Sequence, residues 1–61
     1  MFEYTELESG SVLCTARYGT AAIMVMCDDL TISPILRADR ARQQVQEILD
    51  RLRSSERTIE T

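Results

Sequence analysis

The pattern of apolar side chains over residues 12 to 27 strongly restricts how this chain folds. Successive side chains of a β-strand point to opposite faces, and a two-residue turn at Tyr18-Gly19 would make one face of the resulting hairpin wholly apolar. The cross-strand pairs on that face would be Val12–Val25, Cys14–Ile23 and Ala16–Ala21. The sequence therefore predicts an antiparallel hairpin over these residues.

A third strand is predicted to follow this hairpin. Asp28-Asp29 would form a tight turn, because Asp tolerates the backbone angles of turns. The strand over residues 30 to 36 would extend the apolar face through Leu30, Ile32 and Leu36. Pro34 has no N–H to donate, which marks this strand as a sheet edge.

The N-terminal segment is predicted to be a fourth strand on the other side of the hairpin. A three-residue loop, Glu8-Ser9-Gly10, would use a positive φ at Gly10. Phe2 and Tyr4 would then join the apolar face. A two-residue turn would move them to the other face, and the sequence leaves both registers open.

The apolar spacing becomes helical from Ala38 onward. Six apolar residues fall within an arc of about 100° at 3.6 residues per turn: Ala38, Ala41, Val45, Ile48, Leu49 and Leu52. Leu36 would project from the opposite side of this helix, which favours a start after it. The alternative start has Ser33 as N-cap and Pro34 as the first helical residue.

These elements predict an α+β fold, with a small antiparallel meander of three to four strands followed by one C-terminal amphipathic helix packed on one face. Residues 1–53 would form a single domain and residues 54–61 a frayed polar tail. A chain of 61 residues buries only about 60% of its unfolded surface. We therefore expect a second subunit or a partner to supply additional core.

Catalytic, metal and cofactor sites are not indicated. The chain contains no histidine, and a thiol nucleophile needs a nearby base or an electropositive setting. Cys14 and Cys27 alternate into the apolar face, and neither a disulfide nor a metal cluster is supported. We expect a protein that is not an enzyme and has no cofactor. The acidic N-terminus is unlike an export signal, and no apolar run is long enough to span a membrane. We therefore expect a cytoplasmic protein.

Residues 20 to 27 are apolar on both faces of the predicted strand, and one helix covers only one face. The uncovered face is the predicted interface, with contributions from Leu13, Thr15, Ala22, Met24, Met26 and Ile35. Two copies packed through it would form a sheet sandwich with a helix outside each sheet. Alternatively, the tail or the first strand folds over this face, or the exposed methionines are simply tolerated.

The resulting functional prediction is a non-enzymatic interaction module, a homodimer that regulates or inhibits a larger protein. One form of such a regulator is a phage or mobile-element inhibitor of host machinery, although no motif indicates it. The alternative is a dimeric DNA-binding transcriptional regulator. Its candidate phosphate contacts are Arg17, Arg40, Arg42, Arg51 and Arg53, but a net charge of −3 makes nucleic acid the less favoured partner.

Overall fold

Three β-strands and one helix follow one another along the chain in a computed structural model that describes residues 1–60, with side chains through Ser55. The strands are β1 (Phe2–Glu6), β2 (Val12–Tyr18) and β3 (Ala21–Cys27), and the helix is α1 (Pro34–Glu60). The strands form an antiparallel sheet in the order β1-β2-β3. α1 packs on β2 and β3, which confirms the predicted α+β arrangement.

The core lies between α1 and one face of the sheet. Its buried residues are Cys14 and Ala16 from β2, and Ala41, Val45 and Leu49 from α1. Cys14, Ala41 and Val45 are 0% exposed. Three of these five side chains, Cys14, Ala16 and Ala41, are small, and the buried residues of α1 all belong to the apolar stripe that the helical spacing predicted.

The β1–β2 loop has the predicted three-residue geometry. The Leu7 N–H donates to the Ser11 carbonyl at 2.9 Å, and Gly10 has φ of 94°. A side chain at Gly10 would be strained by this backbone angle. The loop sets the pairing of Phe2 with Ala16 and of Tyr4 with Cys14, so Phe2 and Tyr4 share the helix-covered face.

The β2–β3 hairpin differs from its predicted register by two residues. Its turn is Gly19-Thr20, and Tyr18 pairs with Ala21. Gly19 has φ of 63°, and within residues 1–60 no non-glycine residue has a positive φ, which is the pattern of a type II′ turn. A shift of two residues keeps every side chain on its predicted face, so the assignment of faces is correct although the individual pairs are not.

The predicted strand over residues 30 to 36 is wrong, because α1 begins at Pro34. The Ser33 hydroxyl accepts a hydrogen bond from the Leu36 N–H at 3.3 Å, and the Arg37 N–H donates to the Ser33 carbonyl at 2.9 Å. Ser33 is thus the N-cap and Pro34 the first helical residue. The alternative helix start is confirmed.

The helix also extends further toward the C-terminus than predicted. It includes Ser54 and Ser55, which sequence analysis placed in a frayed tail over residues 54–61. The remaining side chains of that tail lie outside the described residues. Within the described part of the chain, no helix has the length and apolar composition needed to cross a membrane.

Candidate interaction surface

Among the residues that the structure describes, no secondary-structure element packs on the face of the sheet opposite α1, and we call this the open face. β2 and β3 contribute the pairs Leu13–Met26, Thr15–Met24 and Arg17–Ala22. Met24 is 63% and Met26 is 50% exposed. Because a β-strand alternates strictly, these methionines point away from the core that lies beneath α1.

The open face changes in character from β3 to β1. Its β1 residues are Glu3, paired with Thr15, and Thr5, paired with Leu13. A depression of about 360 Å³ extends across all three strands and is lined by Met1, Glu3, Thr15, Ala16, Arg17 and Ala22. The open face is therefore polar and charged along β1 and apolar along β3.

Five of the six predicted interface residues lie together on the open face: Leu13, Thr15, Ala22, Met24 and Met26. Ile35 does not join them, because it belongs to the first turn of α1 rather than to a strand. It is 82% exposed. The predicted position of Ile35 on the open face depended on the strand over residues 30 to 36 and is wrong for the same reason, whereas a role for Ile35 in an interface stays a prediction.

The predicted arginine contacts do not form one surface. Arg17 is exposed on the open face, whereas Arg40, Arg42, Arg51 and Arg53 are on α1, on the other side of the sheet. Arg40 contacts Asp29 at 3.5 Å and Arg42 contacts Asp39 at 3.1 Å. These carboxylates neutralise two of the guanidinium groups that a DNA phosphate would need, which weakens the DNA-binding alternative.

Arg37 is the residue that sequence analysis missed. It is only 8% exposed, and its guanidinium donates hydrogen bonds to the Gly10 carbonyl and, at 3.2 Å, to the Ile32 carbonyl. It thereby joins the β1–β2 loop to the segment before α1. The sequence contained a signal for the burial of Arg37. In a helix that begins at Pro34, Arg37 lies four residues before Ala41 and therefore on the same buried face.

The free edge of β3 is the second feature that sequence analysis missed. The predicted third partner strand would have made Ala21–Cys27 an interior strand, but β3 is the last strand of the sheet. Its outer backbone groups have no strand beside them among the described residues. Such an edge is a template for pairing with another chain.

Asp29 organises the connection between β3 and α1. Its carboxylate accepts hydrogen bonds from the Thr31 hydroxyl and, at 3.0 Å, from the Thr31 N–H. These bonds, with the positive charges of Arg40 and Arg37, hold the pKa of Asp29 below its ordinary value. The folded chain therefore favours the ionised carboxylate.

We expect Asp29 to contribute to the pH dependence of stability. Its pKa is lower in the folded than in the unfolded chain, so its contribution is present above the ordinary Asp pKa of about 3.9 and is lost as pH falls through the folded value. Thermal unfolding followed by circular dichroism below about pH 5 checks this. Asp29→Asn should reduce the fall of the melting temperature with decreasing pH. An unchanged fall would contradict a contribution of Asp29 to stability.

The two cysteines have the environment of packing residues. Cys14 is 0% exposed and Cys27 is half-buried, and both thiols are free. Burial raises the pKa of the Cys14 thiol, against a smaller opposing effect of the Arg42 guanidinium. A protonated thiol is a poor nucleophile. Over the residues that the structure describes, no three potential metal ligands lie close enough together to hold an ion.

Comparisons of the chain with models of known protein families, with curated proteins and with solved structures found no match.

Proposed function

We propose that the protein is a small interaction module that forms a homodimer and regulates a larger protein, which it binds through the open face. The observation that carries this proposal is the exposure of Met24 and Met26 beside Leu13 and Ala22. Methionine adapts to irregular partner surfaces, and an exposed apolar patch on a small domain is typical of an interaction site.

In this proposal the protein acts by binding and catalyses no reaction. The absence of histidine from the chain and the burial of Cys14 support that part. A cytoplasmic location is proposed with it, because a reducing compartment keeps thiols such as Cys14 and Cys27 free. Inhibition of host machinery by a phage or mobile element is one form of the proposed regulation.

Substitution of Thr15 tests the binding of a larger protein. Thr15 is at the centre of the open face, between Glu3 of β1 and Met24 of β3. Thr15→Lys would place a charge within the face while pairing favourably with Glu3 across the strands. We expect immobilised wild-type protein to retain a partner at a fixed molar ratio from an extract of its source, and Thr15→Lys to lose it.

Gln44→Lys is the matched control, because Gln44 is exposed on α1 and the substitution adds the same charge away from the open face. It should retain the partner as the wild type does. Retention of the same partner by Thr15→Lys would contradict the role of the open face. Size-exclusion chromatography with light scattering tests the homodimer. A mass of 7.0 kDa at every concentration would contradict it.

A further inference from the structure

β3 has the composition of an interior strand but lies at the edge of the sheet. Its seven residues, AAIMVMC, include no charge and no proline. On the helix side, Ile23, Val25 and Cys27 are only half-buried, and on the open face Met24 and Met26 are exposed. Strands that are apolar on both faces are typical of sheet interiors. β3 therefore lacks the neighbour that its sequence is suited to.

The turn geometry shows which backbone groups of β3 point outward. Tyr18 and Ala21 flank the two-residue turn and pair with each other, so they form a hydrogen-bonded pair. Such pairs alternate along an antiparallel ladder. Ile23, Val25 and Cys27 therefore bond to β2 as Ala21 does, whereas the N–H and C=O groups of Ala22, Met24 and Met26 point to the free edge.

β1, at the other edge of the sheet, is protected against strand addition. It carries Glu3 and Glu6 among its five residues. Charged residues on an edge strand discourage pairing with a further chain. Strand addition at this sheet is therefore favoured at β3 and disfavoured at β1.

We infer that two copies of the chain associate through the free edge of β3, antiparallel, with the Met24 residues of both copies at the two-fold axis. This inference rests on the proposed homodimer and specifies its contact. The occupant is a second copy because β3 is self-complementary. It carries no charges that would repel each other in an antiparallel pair. It has a small side chain, Ala22, toward its start and a large one, Met26, toward its end, so an antiparallel copy places small beside large at both ends.

The register about Met24 uses every outward-facing group. Met24 of one copy pairs with Met24 of the other, and Ala22 of each copy pairs with Met26 of the other. Each of these three pairs exchanges two N–H···O bonds. A shift of two residues would leave one outward-facing residue of each β3 unpaired. The side chains match as well, since small Ala22 lies beside large Met26 on the open face and Ile23 lies beside Val25 under the helices.

The resulting dimer has one continuous six-stranded sheet with both helices on the same side. Neighbouring strands lie about 4.8 Å apart, and α1 contacts β2 and β3. Helix axes above the middle of these two strands would lie about 10 Å apart, which is close to the spacing of packed helices. The two open faces join into one surface for the larger partner, and the outer edges are the acidic β1 strands, which close the assembly.

Substitutions at Met24 test this contact. Met24→Pro removes the outward N–H without removing a bond of the sheet within one copy, since proline is tolerated where an edge N–H faces solvent. Met24→Thr is the matched control, because it also removes the methionine side chain but keeps the N–H. By light scattering we expect Met24→Thr to be dimeric and Met24→Pro to have a mass of 7.0 kDa with a wild-type circular dichroism spectrum.

A folded, dimeric Met24→Pro would overturn the edge contact. Loss of the dimer in Thr15→Lys would overturn it as well, because that substitution blocks the stacking of two open faces and leaves the β3 edge intact. In both cases the homodimer of the proposed function would stand. A monomeric wild type would contradict the proposed function itself.

Cross-linking decides the matter if Met24→Pro does not fold. The Cα atoms of a hydrogen-bonded antiparallel pair are about 5.5 Å apart, which is within the range that a disulfide bridges. Met24→Cys, combined with Cys27→Ala, should therefore form a covalent dimer under mild oxidation. Failure to cross-link at protein concentrations where the chain is dimeric would overturn the inference.

Discussion

Replacement of Arg37 by alanine is expected to lower the free energy of unfolding by about 2–4 kcal/mol. The Arg37 guanidinium donates to the carbonyls of Gly10 and Ile32, and the side chain is 8% exposed. Its removal leaves two partly buried carbonyls without their charged donor and separates the β1–β2 loop from the start of α1. Chemical denaturation followed by circular dichroism measures the loss.

Two other substitutions make this result specific to the contacts of Arg37. Arg37→Lys keeps the charge but not the forked guanidinium that reaches both carbonyls, so it should recover only part of the stability. Arg53 is exposed on α1, and Arg53→Ala should change the free energy of unfolding by less than about 0.5 kcal/mol. Equal losses for Arg37→Ala and Arg53→Ala would contradict a structural role for Arg37.

Replacement of Val45 by alanine is expected to cost about 2–3 kcal/mol. Val45 is 0% exposed and packs in the cluster with Cys14, Ala41 and Leu49. The residues around it are mostly small and held by the sheet and the helix, so they collapse poorly into the space left by two methyl groups. A chain of this size has a total stability on the order of 3–9 kcal/mol, so the melting temperature should fall by roughly 10–20 °C.

Leu52→Ala is the control for burial. Leucine is larger than valine, but Leu52 is 37% exposed, so its truncation should cost less than that of Val45. Both variants are compared with the wild type at one protein concentration, because the proposed dimer would make the melting temperature depend on concentration. A larger loss for Leu52→Ala would place the core nearer the end of α1 than the structure does.

The faces of the sheet were predictable because they depend on alternation alone. Any even shift of register preserves alternation, so moving the turn from Tyr18-Gly19 to Gly19-Thr20 changed the pairs but left Leu13, Thr15 and Met24 on the open face. The exact pairing was less predictable, since it depends on which residue takes the positive φ. Gly19 takes it at the first turn position, where a type II′ turn requires glycine.

The start of α1 was misjudged because two local patterns compete over residues 30 to 36. Alternation of Leu30, Ile32 and Leu36 indicated a strand, whereas Ser33-Pro34 indicated a helix start. The hydrogen bond from the Leu36 N–H to the Ser33 hydroxyl satisfies one of the backbone donors that the first turn of a helix leaves without an intrahelical partner. The helix consequently leaves Leu36 51% exposed.

The edge position of β3 was not predictable from residues 20 to 27, because their apolar pattern on both faces is that of an interior strand. Local pattern and observed position disagree here, and such disagreements concentrate at functional sites. The inferred pairing of β3 with a second copy would remove the disagreement. In the proposed assembly the open face and the β3 edge are separate surfaces, one for a larger partner and one for a second copy.

Hydrogen exchange of the β3 amides, measured by NMR on the wild-type protein, tests the edge contact most directly. We predict that the amides of Ala22, Met24 and Met26 are protected to a similar degree as those of Ile23 and Val25, which bond to β2. Protection restricted to Ile23 and Val25, with rapid exchange at the three outward-facing residues, would contradict pairing of β3 with a second copy.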